Sequence, residues 1–191
     1  KRIKLIKKRK KVLEFKIGEA TKEIKIQRDE ISEQHREIKD SIIYAKRIQS
    51  AILPTLDFFK QKLKKSFVYY VPKDIVAGDF YWIEKKNDII LFAACDCTGH
   101  GVPGAMVSVI CNNGLNRAVR EYGLNEPASI LDMTREIVIK EFEKSNEEVK
   151  DGMDIALCAL NDKYLSYAGA NNPLWIIRNG SNSVEEIKAD K

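Results

Sequence analysis

The sequence predicts a mixed α/β sandwich domain entered through one long coiled-coil helix. Three observations carry this expectation. Residues 1–53 place apolar side chains at seven-residue intervals. After Pro54 the pattern changes to short strand-like runs, then two consecutive helices, then strands again. That order fits a mixed α/β sandwich better than repeated βαβ units. Finally, Asp79 and Asp96 each stand in a tight Gly-rich setting, about a strand's length apart.

The helix comes first. Taking Ile3 as heptad position a, the a series is Ile3, Lys10, Ile17, Ile24, Ile31, Ile38, Ala45 and Ile52. The d series is Ile6, Leu13, Ala20, Gln27, Gln34, Ser41 and Ile48. β-branched Ile at a favours a two-stranded parallel coil, and polar d residues soften its middle while fixing register. A homodimer through residues 1–53 is the expectation; a single helix lying on a domain surface is the competing reading. His35 falls at position e with no Pro after it, so it reads as a solvated coil residue rather than a phosphoacceptor.

Pro54 removes a hydrogen-bond donor and stops the helix. Residues 54–191 then form the second domain. Strands are expected at Phe67–Val71, Phe80–Glu84 and Ile89–Cys95. A helix follows from Pro103 to Tyr122, closed by Gly123. The next runs from Pro127, a residue suited to a first helical position, to about Lys144. Its apolar residues Ile130, Leu131, Ile137, Val138 and Phe142 make one buried face. Strands return at Ile155–Leu160, Leu165–Ala168 and Leu174–Arg178, with a turn at Asn179-Gly180.

Charge narrows the partners. The chain carries a net +5, but residues 1–16 hold nine Lys/Arg against Glu14, a local +8 that leaves −3 for the rest. A mildly acidic domain argues against nucleic acid as its partner. The basic start fits a juxtamembrane position on the cytosolic side, next to acidic lipids and an upstream membrane or sensor domain. A solvated coil surface and DNA contact are the other readings. Cys95, Cys97, Cys111 and Cys158 lack paired CxxC spacing, so reduced thiols in the cytoplasm are expected and a zinc site with His100 is not.

The chemistry lies in the two aspartates. Asp79 follows Ile75-Val76-Ala77-Gly78, and Asp96 opens Asp96-Cys97-Thr98-Gly99-His100-Gly101 directly after the apolar run Ile89–Cys95. Carboxylates at strand ends before glycines are held rigidly, and hard cations such as Mg²⁺ and Mn²⁺ take such oxygen donors. Two ions about 3.5–4 Å apart can hold an in-line phosphoryl displacement from both sides. The Cys97 carbonyl stands where a tight turn could add a backbone oxygen. Gly99, Gly101 and Gly104 allow close backbone approach.

These residues belong to a longer series. Pro72-Lys73-Asp74-Ile75-Val76-Ala77-Gly78-Asp79-Phe80-Tyr81, Asp96-Cys97-Thr98-Gly99-His100-Gly101, Asp151-Gly152-Met153-Asp154-Ile155-Ala156-Leu157 and Tyr167-Ala168-Gly169-Ala170-Asn171-Asn172-Pro173 occur in that order. They resemble successive motifs of the SpoIIE-type branch of the metal-dependent (PPM) serine/threonine protein phosphatases. The preceding run Ser41–Pro54 is similar to the helix that enters such domains in bacterial sensor proteins. The resemblance covers residues 41–191.

It implies an αββα sandwich with two Mn²⁺ or Mg²⁺ ions, bound by Asp79, Asp96 and the backbone carbonyl of Cys97. It also implies hydrolysis of phosphoserine or phosphothreonine by a metal-activated water, without a covalent enzyme intermediate. The implied substrate is a small phosphorylated regulatory protein such as an anti-sigma-factor antagonist. An N-terminal region would control activity through the connecting helix. Family members carry a later Ser/Thr-Asp-Gly motif and a late acidic motif. This sequence stops at Ala189-Asp190-Lys191 before either, so the fold is expected to be incomplete at its C-terminus. The fragment alone is expected to be weakly active or inactive.

Asp154 either lines the site as a further metal ligand or caps its strand, and Asp151 is a weaker candidate of the same kind. His100, between Gly99 and Gly101, either touches phosphate or, by preference, orients the loop through a hydrogen bond. Asn171 and Asn172 read as turn formers. Two other functions compete. One is a catalytically dead pseudo-phosphatase that binds partners. The other is a sensor-kinase fragment, whose glycine spacing fits poorly.

Overall fold

Pro54 ends the long helix where the sequence places the stop. In a computed structural model of the chain, which describes residues 1–144 and 151–190, α1 runs Arg2–Ile52. Contacts divide the chain into two units, Lys1–Tyr44 and Ala45–Lys191. The first is helix alone, and its residues are exposed apart from half-buried Ile42. Among the described residues no helix is long and apolar enough to cross a membrane.

The second unit begins with the last turns of α1. A short helix follows, α2 (Leu56–Lys62), with Thr55 accepting the Phe58 amide at its N-terminus. Next come β1 (Phe80–Lys86), β2 (Ile89–Cys97), α3 (Gly101–Arg120) and α4 (Pro127–Phe142). The chain returns through β3 (Met153–Leu160), β4 (Leu165–Ala170), β5 (Leu174–Ile177) and β6 (Val184–Ile187). β1 to β4 form one antiparallel sheet in sequence order, and β5 pairs with β6 in a separate two-stranded sheet.

Side chains alternate across a strand, so each strand offers one face to the core. On β2 that face is Leu91, Ala93, Cys95 and Cys97; on β3 it is Ile155, Leu157 and Ala159. They join Val107, Cys111, Leu115 and Ala118 of α3 and Ile130 and Val138 of α4 in the core. All four cysteines are free and buried. The opposite sheet face, with Phe92, Ala94, Ala156 and Leu160, borders a groove of about 1060 Å³ that reaches Asp79 and Asp96.

Two local expectations change. Phe67–Val71 forms no strand, although it keeps a strand's alternation: Phe67, Tyr69 and Val71 are exposed, Val68 and Tyr70 half-buried. A strand needs a partner for its ladder, and none of the named strands pairs with this segment. β6 was not expected, because Val184–Ile187 is exposed along its whole length and shows no apolar alternation. Elsewhere the signals hold. Pro127 opens α4 with Glu126 accepting the Ala128 amide, and Gly123 turns the chain after α3 with φ 73°.

Candidate metal centre

Sheet register brings three aspartates into one row. β1 pairs with β2 so that Phe80 faces Cys95, and one further step of that register sets Asp79 beside Asp96. On the other side β3 places Asp154 directly opposite Asp96. All three lie at the same end of the sheet. Asp96 is on the face turned away from the helices, because its neighbours Cys95 and Cys97 point into the core.

The Asp79 loop reaches this row only because glycines meet behind it. A Cβ on Gly78 would lie 2.8 Å from the Gly99 carbonyl oxygen and 3.0 Å from that of Cys97. A Cβ on Gly104 would lie 2.5 Å from the Gly99 oxygen and 3.1 Å from the Gly78 Cα. Backbone therefore packs on backbone, and any side chain there would push the Asp79 loop off the turn after β2. The Cys97 thiol is buried and hydrogen-bonded to Cys111, so its carbonyl is what this residue offers near the Asp79 loop.

Two side chains hold the same loop from other directions, each braced by a neighbour. Buried Gln49, near the end of α1, donates to the Ala77 carbonyl at 2.5 Å and accepts the Ala77 amide at 3.2 Å. Gln49 Nε2 also donates to the Ser108 hydroxyl of α3 at 3.0 Å. Tyr70 donates its hydroxyl to the Asp79 carbonyl at 3.1 Å. The Tyr70 ring meets Tyr81 edge-on at 5.7 Å, and Tyr81 donates to the Pro54 carbonyl at 3.1 Å. Burial, followed by the nearby Asp79 and Tyr81, raises the Tyr70 phenol above its ordinary value.

The remaining sequence candidates fall around this row. His100 Nδ1 bonds Asp74 Oδ2 at 3.0 Å, tying the loop before α3 to the loop before β1. Gly99 and Gly101, with φ 83° and 61°, make the turn on either side of it. Asp151 accepts from the Thr98 hydroxyl at 2.7 Å, which closes the ends of β2 and β3 together. Asp154 accepts from Asn171 Nδ2 at 2.8 Å. Asn171 has the turn conformation expected of it, φ 58°, and in addition aims its amide at the acidic row. Sequence reading did not single out Gln49, Tyr70 or that amide. Gln49 sits at heptad position e, where a polar residue carries no signal.

Electrostatics describe what the row lacks. Burial, then a hydrogen bond with Asp79, then the charges of Asp79 and Asp154 push the Asp96 carboxyl up from its ordinary value. Two carboxyl groups can hydrogen-bond only by sharing a proton; ionised, they repel. Like charges directly opposite on neighbouring strands also destabilise a sheet. An oxygen-rich, crowded, negative row of this kind fits a hard divalent cation, which would supply the missing positive charge. The fit is partial. Among the described residues no group of three or more His, Cys, Asp or Glu side chains is placed to enclose an ion.

No family model and no curated protein matches the sequence. A solved structure does: the SiaA-PP2C domain of Pseudomonas aeruginosa, 29% identical, superposes with a TM-score of 0.68 over 82% of this chain. The chain has a PP2C-like, PPM-type phosphatase fold. It spans 62% of the length of that structure. In the PP2C-like fold of this chain, the acidic row and the glycine-clasped turn lie at one end of the antiparallel sheet, between β1, β2 and β3.

Proposed function

We propose that this chain is a phosphoserine/phosphothreonine phosphatase module of the SpoIIE type, dependent on Mn²⁺ or Mg²⁺ and working in a bacterial signalling protein. The observation that carries the reading is the register that aligns Asp79, Asp96 and Asp154. The PP2C-like fold and the ordered motifs from Asp74 to Pro173 support it. Asp79 and Asp96 would hold the cations together with the Cys97 carbonyl, and Asp154, steadied by Asn171, would add negative charge beside them. Bound divalent ions supply the electrophilic chemistry and the nucleophile for phosphoester hydrolysis.

The chain's own residues do the positioning. Gly78 and Gly104 let the Asp79 loop close on the Cys97–Gly99 turn. His100 and Asp74 fix the entrance to α3, and Thr98 with Asp151 fixes the entrance to β3. Among the described residues no group of three or more His, Cys, Asp or Glu side chains is placed to enclose an ion, so a complete binuclear centre and full turnover would need further carboxylates. The 191 residues alone would then be weakly active or inactive.

Control is proposed to run through α1. Its heptads suit a parallel homodimer, and its last turns carry Gln49, which grips Ala77 two residues before Asp79. A turn or register shift of a dimeric helix would act on that grip. The substrate class, a phosphorylated regulatory protein such as an anti-sigma-factor antagonist, follows from the family resemblance. So does a cytoplasmic setting, as the cytosolic part of a membrane-anchored sensor, which the four free cysteines suit. The reading is tested by titrating Mn²⁺ into the protein and into Asp79→Asn and Asp96→Asn, alongside phosphate release from phosphoserine and phosphothreonine peptides. Both substitutions should reduce Mn²⁺ affinity by tenfold or more, about what a charged ligand contributes. Undiminished binding would refute the metal roles. Tight Mn²⁺ binding with no hydrolysis, even when the remaining carboxylates of a longer chain are present, would favour the partner-binding pseudo-phosphatase.

A further inference from the structure

Residues 1–16, at the start of the chain and of α1, have an outer face that a coiled coil does not explain. In a two-stranded coil, positions b, c and f point away from the partner and are ordinarily polar. Over residues 1–15 those positions are Lys1, Lys4, Leu5, Lys8, Lys11, Val12 and Phe15. No acid stands among them. Leu5, Val12 and Phe15 are exposed at 52%, 50% and 66%, although none belongs to the a/d seam. Glu14, the one acid in residues 1–16, ion-pairs at 3.7 Å with Lys10, which lies on the seam. Arg2, Arg9 and Lys16 flank the outer face at position g. From Glu19 onward the pattern ends: Glu19, Asp29 and Glu33 enter the same b, c and f positions.

We propose that this face, residues 1–16, lies on an anionic lipid surface. Helices that rest in a membrane interface combine cations with large apolar side chains on one side. Lysine stems lie along the apolar boundary while their ammonium groups reach the headgroup phosphates. Charge complementarity to acidic lipids supplies the attraction, and Leu5, Val12 and Phe15 supply the insertion. A nucleic-acid surface would use the lysines alike but would leave three aliphatic and aromatic side chains without a role. The a/d seam points the other way, so lipid contact and helix pairing use different faces.

The test is co-sedimentation of the whole 191-residue chain with vesicles of phosphatidylcholine alone, or mixed in equal parts with phosphatidylserine. Circular dichroism checks that each variant keeps its helix. The protein should bind the phosphatidylserine vesicles at least about tenfold more tightly. A Lys4→Gln, Lys8→Gln, Lys11→Gln variant should lose about a hundredfold, at roughly fivefold per charge. Leu5→Ser, Val12→Ser, Phe15→Ser keeps every charge and should still lose about tenfold or more. Equal binding to both vesicles overturns the proposal. So does undiminished binding by the serine variant, or duplex DNA held as tightly as phosphatidylserine by both wild type and serine variant.

Discussion

The sheet-bearing unit and the helix Lys1–Tyr44 both write a regular apolar pattern into the chain, yet only one of them buries it. On β2, Leu91, Ala93, Cys95 and Cys97 recur at period two and are at most 6% exposed. On α1, Ile3, Ile17, Ile24, Ile31 and Ile38 recur at period seven and are all more than half exposed. Periodicity specifies which face is apolar, and what covers that face is a separate fact. For the sheet, the cover is α3 and α4, which lie between β2 and β3 in the same chain. For the helix, a second copy is the proposed cover.

The difference in burial makes the core the place of largest effect. Leu115→Ala, at a fully buried position, should destabilise the sheet-bearing unit by about 3 kcal/mol, the usual cost of such a cavity. Ile31→Ala, on a helix face 54% exposed, should leave that unfolding transition within roughly 0.5 kcal/mol. Its effect should appear instead as weaker self-association in sedimentation equilibrium. Urea unfolding followed through buried Trp82 separates the two. Equal shifts in both variants would mean that Ile31 is part of the sheet-bearing unit's stability.

A second substitution sharpens the boundary between helix and site. Gln49 is 6% exposed and satisfies both polar groups of Ala77. Gln49→Ala leaves a buried amide and carbonyl without partners, a loss of about 2 kcal/mol. Because Ala77 leads straight into Gly78-Asp79, Mn²⁺ affinity should fall along with stability. Gln49→Glu keeps the acceptor but sets a buried carboxylate oxygen against the Ala77 carbonyl, and should cost at least as much as Gln49→Ala. If stability drops while Mn²⁺ affinity stays constant, Gln49 braces the fold without setting the Asp79 loop.

What the sequence disclosed and what it withheld follow the range of the interactions. α1, α3, α4 and the core strands rest on local periodicity, and their boundaries move by only a few residues. The convergence of Asp79 and Asp96 was legible because one hairpin, β1–β2, brings them together. Asp154 is a candidate from its Gly-Met-Asp motif, with strand capping as the other reading. Its place opposite Asp96 depends on the register of a strand more than fifty residues later, which no local pattern encodes. Gln49 was illegible for another reason: a glutamine at an outer heptad position looks like any solvated residue until the loop it clasps is known. Phe67–Val71 shows the converse. Its alternation is plain in sequence, but alternation alone cannot supply the neighbouring strand a ladder requires.

The smallest expected effect carries its information in its sign. Without divalent ions, Asp96 crowds Asp79 and Asp154, and its carboxyl is raised from the ordinary value by burial and by those neighbours. Its proton is held more tightly in the folded chain than in the unfolded one. Stability should therefore be greatest below the ordinary carboxylate range and fall as pH rises through the window up to the raised value. Asp96→Asn removes one of the opposed charges and should stabilise the ion-free protein at neutral pH by a few tenths of a kcal/mol. It should also flatten that part of the pH profile. Saturating Mn²⁺ should reverse the wild-type slope, because the ion favours ionised carboxylates, and should change the Asp96→Asn profile less. A wild-type profile that rises with pH in the presence of a chelator would mean the three aspartates do not share one electrostatic site. The same result would remove the physical reason for placing a cation there.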